Sequence, residues 1–224
     1  MAPRVKTRDR IVAESLELFN AQGERNVTTN HIAAHLGMSP GNLYYHFRNK
    51  QAIIAELFAQ YEAQVDQFLR RPEGRALTVA DKTFYLEALL AAMWHYRFLH
   101  RDLEHLLEAD PELAARYRTF AQRCMVQAQG IYQGFVEAGI LLMEPAQVEA
   151  LTLNSWIIMT SWCAFSAPPS AATAISVRTC CAAASIRCWR WRAAMPAPRR
   201  VRRSRRCSRN CSCRLMPSAD TLLL

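Results

Sequence analysis

The chain has 224 residues, half of them hydrophobic, which is enough for a folded core and excludes a disordered polypeptide. No run reaches the roughly 18–20 apolar residues of a membrane span, and the opening Met1-Ala2-Pro3-Arg4-Val5-Lys6 leads into charged sequence rather than a secretory signal, so the expected location is the cytoplasm. The net charge of +9 is unevenly spread: residues 167–224 hold twelve Arg and one acid, Asp220, whereas residues 1–166 hold 16 basic and 18 acidic side chains.

From Thr7 to Ala21, Ile11, Val12, Ser15, Leu18 and Phe19 follow the helical period, and Gly23 supplies a C-terminal cap. Val27-Thr28-Thr29 opens a second, short helix with a threonine cap and a buried stripe of Ile32, Ala33 and Leu36. Gly37 breaks the chain, and Ser39-Pro40 is a serine cap followed by proline at the first helical position, where its missing N–H is harmless. A third helix is expected over Pro40–Phe47 and a fourth from near Asn49 to about Leu69. Arg70-Arg71-Pro72-Glu73-Gly74 reads as a linker. Beyond it Val79–Arg101, Pro111–Ala138 and Pro145 to about Trp162 read as helices, with Asp110 capping the second and Gly139 ending it. No alternating strand pattern precedes residue 167, so the expected fold class is all-α.

Three short helices, the last two separated by Gly37-Met38-Ser39, have the order of a helix-turn-helix. At the start of the third, Gly41 lets the backbone approach a groove wall and Asn42 offers the paired donor and acceptor that match an adenine edge. Tyr44 and His46 can reach phosphate or a thymine methyl. Lys50, in the first turn of the fourth helix, combines its charge with helix N-terminal amides that favour phosphate. Arg4, Lys6, Arg8 and Arg10 form a basic arm with sequence-independent attraction.

The run Gly37-Met38-Ser39-Pro40-Gly41-Asn42-Leu43-Tyr44-Tyr45-His46-Phe47-Arg48-Asn49-Lys50 resembles the recognition segment of the TetR family of one-component transcriptional regulators. Thr28-Thr29-Asn30-His31-Ile32-Ala33 and the Leu18-Phe19…Gly23 helix end are similar to the same DNA-binding domain, so the resemblance covers about residues 7–58. More loosely, Tyr96-Arg97-Phe98-Leu99 with Asp102-Leu103 is similar to a subgroup containing regulators from polyhydroxyalkanoate gene clusters.

The resemblance implies phosphate contacts from Thr29, Tyr44, His46 and Lys50, and places Pro40, Gly41 and Asn42 at base edges. It implies a homodimer on double-stranded operator DNA and a body whose ligand alters the spacing of two reading heads. Family members are mostly repressors, and a minority activate. It also implies an apolar cavity among the helices carrying Met93, Trp94, Phe98, Met125, Tyr132 and Phe135, suited to an apolar ligand such as an acyl chain. The expected organisation is a DNA-binding domain over residues 1–50 and a ligand and dimerisation domain over 51–165.

Other chemistries find less support. His31 and His35 stand at the i, i+4 spacing of metal ligands, but a solvated or phosphate-facing pair is the expected reading. His95, His100 and His105 share no helical face. No phosphate loop, nucleophile elbow or zinc spacing occurs in residues 1–166, so neither an enzyme nor a cofactor or metal protein is expected.

Residues 166–224 break the pattern. Six of the eight cysteines lie here, with Cys180-Cys181, Trp189 and Trp191 among arginines and no helical period. A basic nucleic-acid arm does not require exposed Cys and Trp, and disulfides would need an oxidising compartment. The genetic code suggests a shifted reading frame. If each true codon takes the third base of one codon and the first two of the next, Cys180-Cys181, Cys188-Trp189 and Asn210-Cys211 each conceal Leu, whichever synonymous codons are used. Trp189-Arg190 and Trp191-Arg192 then conceal Ala or Glu, and Met195-Pro196 conceals Ala. The hidden apolar positions recur at helical offsets. The expectation is a slip between about Trp162 and Ala167, with a last helix lost and an aberrant, disordered tail in its place.

Overall fold

The computed structural model describes residues 6–165, with side chains through Ser161. The expectation for the tail lies outside these residues. Among the described residues the fold is all-α, with no strand.

The N-terminal unit contains α1 (Thr7–Gln22), a 3₁₀ turn (Glu24–Asn26), α2 (Thr29–His35) and α3 (Pro40–His46). Each boundary has a local cause. Gly23 at φ 88° and Gly37 at φ 65° take the left-handed backbone that bulkier residues avoid. The Thr28 hydroxyl accepts from the His31 amide, and His31 returns a ring nitrogen toward the Thr28 amide, closing a capping box. The Ser39 hydroxyl accepts from the Asn42 amide, with Pro40 at the first helical position. Ile11, Phe19, Val27, Ile32 and Leu43 are essentially inaccessible and form one small core. That core continues into α4 (Lys50–Phe68), capped by Asn49, through Ile53, Ile54 and Leu57. The expected division at residue 50 falls at the first residue of α4.

The body adds α5 (Val79–His95), α6 (Arg97–Arg101), α7 (Leu103–Ala109), α8 (Pro111–Glu137) and α9 (Pro145–Phe165). Thr78 and Asp81 close a second capping box, and Asp110 accepts from the Glu112 and Leu113 amides at the head of α8. Helices α4 and α8 meet through Phe58, Tyr61, Tyr117 and Phe120, and Arg116 and Arg123 of α8 pair with Glu62 and Asp66 of α4. Helix α9 packs on α8, and Tyr132 donates to the Ser155 hydroxyl at 2.8 Å.

The expected single helix Val79–Arg101 is corrected. It ends at His95, restarts as α6, and Asp102 separates α6 from a helix the sequence pattern does not reveal, α7. No Gly or Pro causes the first break. The Asn20 side chain of α1 occupies it, donating to the His95 carbonyl at 2.8 Å and accepting from the Phe98 amide at 3.1 Å. A side chain from another element thus takes over the hydrogen bonds that continuous helix would have made.

Candidate nucleic-acid interface and effector cavity

Helix α3 presents two contrasting faces. Leu43 and the flanking Phe47 are buried against the small core, whereas Pro40, Gly41, Asn42, Tyr44 and Tyr45 are exposed, Tyr45 at 84%. A Cβ added at Gly41 would meet nothing within 4 Å, so no contact within the protein requires glycine there. The Thr29 and Tyr44 hydroxyls lie 3.0 Å apart, bringing the start of α2 beside the middle of α3. His46 is half-buried, its ring 5.1 Å from that of Tyr45. Six of the seven residues expected at DNA therefore share one end of the molecule, on or beside α3.

Lys50 is the seventh, and its placement differs from the expectation. Its amine lies 2.6 Å from the Glu24 carboxylate and donates to the Glu24 and Val27 carbonyls, both at 3.0 Å. Three oxygens hold the charge inward, so Lys50 ties the 3₁₀ turn to α4 and does not present a free cation to phosphate. The buried Glu24 carboxylate, which a cation must compensate, supplies the physical reason. Arg8 of the expected basic arm is similarly engaged, pairing with Glu56 at 2.7 Å and lying over the Phe47 ring. Arg4 lies outside the described residues.

The His31 and His35 rings are also accounted for. His31 Nδ1 lies 3.2 Å from the Asn26 carbonyl, and His35 Nε2 lies 3.1 Å from Glu14. Among the described residues no group of three His, Cys, Asp or Glu side chains is placed to hold a metal. Burial pushes the Cys124 thiol up to about 12, which keeps it a packing group.

Sequence reasoning does not find the polar clamp joining this head to the body. Besides Asn20, Arg101 of α6 donates to the Phe19 carbonyl at 2.6 Å and the Asn20 carbonyl at 3.3 Å, at the C-terminal end of α1. Asp102 accepts from the Glu24 amide at 3.1 Å. Phe98 packs its ring 5.2 Å from Phe19. A signal is present in the run Tyr96-Arg97-Phe98-Leu99…Asp102, but nothing in its spacing points to α1 as its partner.

The six residues expected to line a ligand cavity are dispersed. Phe98 belongs to the junction with α1, Met93 is buried, and Trp94 is partly exposed beneath the Arg97 guanidinium. Tyr132 is bonded to Ser155, Phe135 packs edge-on to Tyr85, and Met125 is half-buried. None lines either of the two described cavities. One, of about 220 Å³, lies between head and body beside Glu24, Lys50 and His105. The other, of about 10 Å³, is enclosed by α4, α6, α7 and α8 and is lined by Phe58, Tyr61, His100, four leucines of α6–α7, Leu113 and Tyr117.

His100 is the unusual group in that wall. It is 8% exposed, and neither ring nitrogen has a hydrogen-bond partner. Burial holds the ring neutral, pushing it from 6.5 down to about 4. In the unfolded chain the ring protonates near its ordinary 6.5, so between about 6.5 and 4 the unfolded state binds the additional proton. Stability from this group is therefore complete above about pH 6.5 and is lost as pH falls through about 4. The full displacement corresponds to about 3 kcal/mol. Urea midpoints from pH 7 to pH 4 should fall more steeply for this chain than for His100→Phe. Parallel profiles would mean that the ring is not buried neutral.

A family model described as "Bacterial transcriptional repressor", TetR, matches residues 60–181, and the TetR_N model, "Bacterial regulatory proteins, tetR family", matches residues 11–57. The chain belongs to the TetR family. It is a TetR-family transcriptional regulator with a helix-turn-helix, as the resemblance implied. A crystallised TetR-family regulator from Marinobacter aquaeolei VT8 is 54% identical, with a TM-score of 0.70 over 71% of this chain and 79% of that one. The regulator TcmR of Streptomyces glaucescens is 30% identical over 124 residues, half of this chain and 52% of that protein. QacR of Staphylococcus aureus is 28% identical over 102 residues, 45% of this chain and 54% of that protein. This TetR-family chain thus spans about half the length of those curated relatives. No helix among its described residues is long and apolar enough to cross a membrane.

Proposed function

We propose that this chain is a ligand-responsive repressor that binds a palindromic DNA operator as a homodimer in the cytoplasm, with residues 1–50 as reading head and 51–165 as effector and dimerisation body. The outer face of α3 carries this reading: a rigidly seated short helix with Asn42 and Tyr44 exposed and a glycine at 41 that the protein itself does not need. A groove wall requires what the core does not, close approach at Gly41 and an amide at Asn42 for an adenine edge. Pro40, Gly41 and Asn42 face bases, and Thr29, Tyr44 and His46 face phosphate. Lys50 acts indirectly, by holding the turn before α2. Apolar side chains left exposed on α9, Leu153, Ile157 and Ile158, support a second copy as the partner that pairs two heads.

Selection of bound sequences from random duplex DNA, with the reading frame restored beyond about residue 165, tests the reading, with enrichment of an inverted repeat expected. Gly41→Ala should leave stability unchanged or raise it by about 0.5–1 kcal/mol, while weakening binding to the selected operator. Asn42→Ala should lose about 1–3 kcal/mol of base discrimination. An operator bound equally well by Gly41→Ala would remove α3 from the groove, and failure to enrich any sequence would remove the repressor reading.

A further inference from the structure

A neutral imidazole carries one N–H donor and one bare nitrogen acceptor on opposite edges of the ring. In His100 both are buried without a hydrogen-bond partner, and a buried polar group left unpaired is destabilising. The ring meets the Tyr61 ring edge-on at 5.5 Å, and leucine side chains, the Phe58 ring and Tyr117 make up the rest of the cavity lining. No carboxylate, Lys or Arg lines this cavity, so the ring has no charge to answer. An apolar chamber with one unsatisfied donor–acceptor group has the composition of a small-molecule site, in which few polar atoms fix orientation and apolar surface supplies affinity.

We infer that His100 is the polar anchor of the effector site, and that the effector is an apolar molecule carrying a single O–H group, a hydroxyl or undissociated carboxyl. This rests on the ligand-responsive reading above and names the ligand class for it. An O–H oxygen both donates and accepts, and so satisfies one edge of a neutral ring whichever tautomer is present. A carboxylate would enter this carbon-lined space as an uncompensated charge.

The cavity, about 10 Å³, holds no more than a water-sized sphere, so an effector must displace its walls. Those walls include α6 and α7, helices of five and seven residues separated at Asp102. The two residues after His100 are Arg101 and Asp102, which grip the Phe19 carbonyl and the Glu24 amide of the head. Displacement at His100 is therefore felt one and two residues later, where head and body are joined. A ligand that favours the displaced arrangement shifts the head with it.

The test compares 1-octanol with octyl methyl ether, which keeps the chain and the oxygen but lacks the O–H. Binding is read by calorimetry on the full chain, and His100 by its ring-nitrogen NMR signals, assigned through the His100→Phe variant. The alcohol is expected to bind about ten-fold more tightly, close to the value of one buried hydrogen bond, and to move the His100 signals. In His100→Phe the ether should still bind and the preference should collapse. His100→Gln, which keeps a donor and an acceptor, should restore part of it. If alcohol and ether bind equally, or the His100 signals do not move, the ring is satisfied by water only; the anchor is then overturned while the cavity reading survives. If neither probe binds the parent chain or either variant, the apolar effector reading falls, and the anchor with it.

Discussion

Replacing Asn20 by alanine is expected to destabilise the protein by about 2–5 kcal/mol, although Asn20 faces neither DNA nor the cavity. Its amide bridges the interruption between α5 and α6, donating to the His95 carbonyl and accepting from the Phe98 amide. Truncation strands both partners, and an unpaired buried backbone group costs about 1–3 kcal/mol. Phe98 is fully buried, so water cannot replace the bond to its amide without opening the contact with Phe19. Asn20→Asp should fall between parent and alanine variant, because the carboxylate still accepts from Phe98 but no longer donates to His95. Urea denaturation at pH 7 would show a lowered midpoint with an unchanged slope. Hydrogen exchange at the Phe98 amide should quicken selectively. A loss below about 0.5 kcal/mol, within the range of an ordinary surface change, would mean that Asn20 does not hold the break.

The same asparagine shows why the fold was only partly legible in the sequence. Helices whose limits are local were readable: Ser39-Pro40 starts α3, Asp110-Pro111 starts α8, and Gly37 divides α2 from α3. Their signals lie within a few residues of the boundary. The break at Tyr96 carries no such signal, since its cause is a side chain about 75 residues earlier in the chain. Tertiary contact overrides periodicity there, and the pattern over Val79–Arg101 consequently read as one helix.

The site divides in the same way. Exposed residues on α3 follow directly from placing a short amphipathic helix over Leu43 and Phe47. The inward pairing of Lys50 was not legible because its partner, the buried Glu24, is a charged residue whose burial no spacing reveals. The expected lining residues do not converge on a described cavity: Trp94, Phe98 and Phe135 have the aromatic character of a lining, yet Phe98 and Phe135 are consumed by packing and Trp94 remains at the surface. His100 stood out only as one of three histidines, with His95 and His105, that share no helical face.

Restoring the shifted reading frame beyond about residue 165 is expected to raise operator affinity by about 10²–10⁴-fold, the gain when a second linked head binds intramolecularly. The residues concerned lie outside the described structure. Cys180-Cys181, Cys188-Trp189 and Asn210-Cys211 each conceal Leu in the shifted frame, at offsets that suit one side of a helix. Helix α9 leaves Leu153, Ile157 and Ile158 at 50–63% exposure, an apolar surface of the kind such a helix and a second copy would cover. Two half-sites one turn of DNA apart require two heads held at fixed spacing, so a chain without its bundle partner should bind one half-site weakly and sediment as monomer or aggregate. The frame-restored chain should sediment as a dimer and titrate the selected inverted repeat in a single tight step. Sedimentation and operator titration of both chains side by side decide the matter. If the chain as it stands is already a stable dimer with equal operator affinity, the Arg- and Cys-rich segment is a working part and the frame argument is wrong.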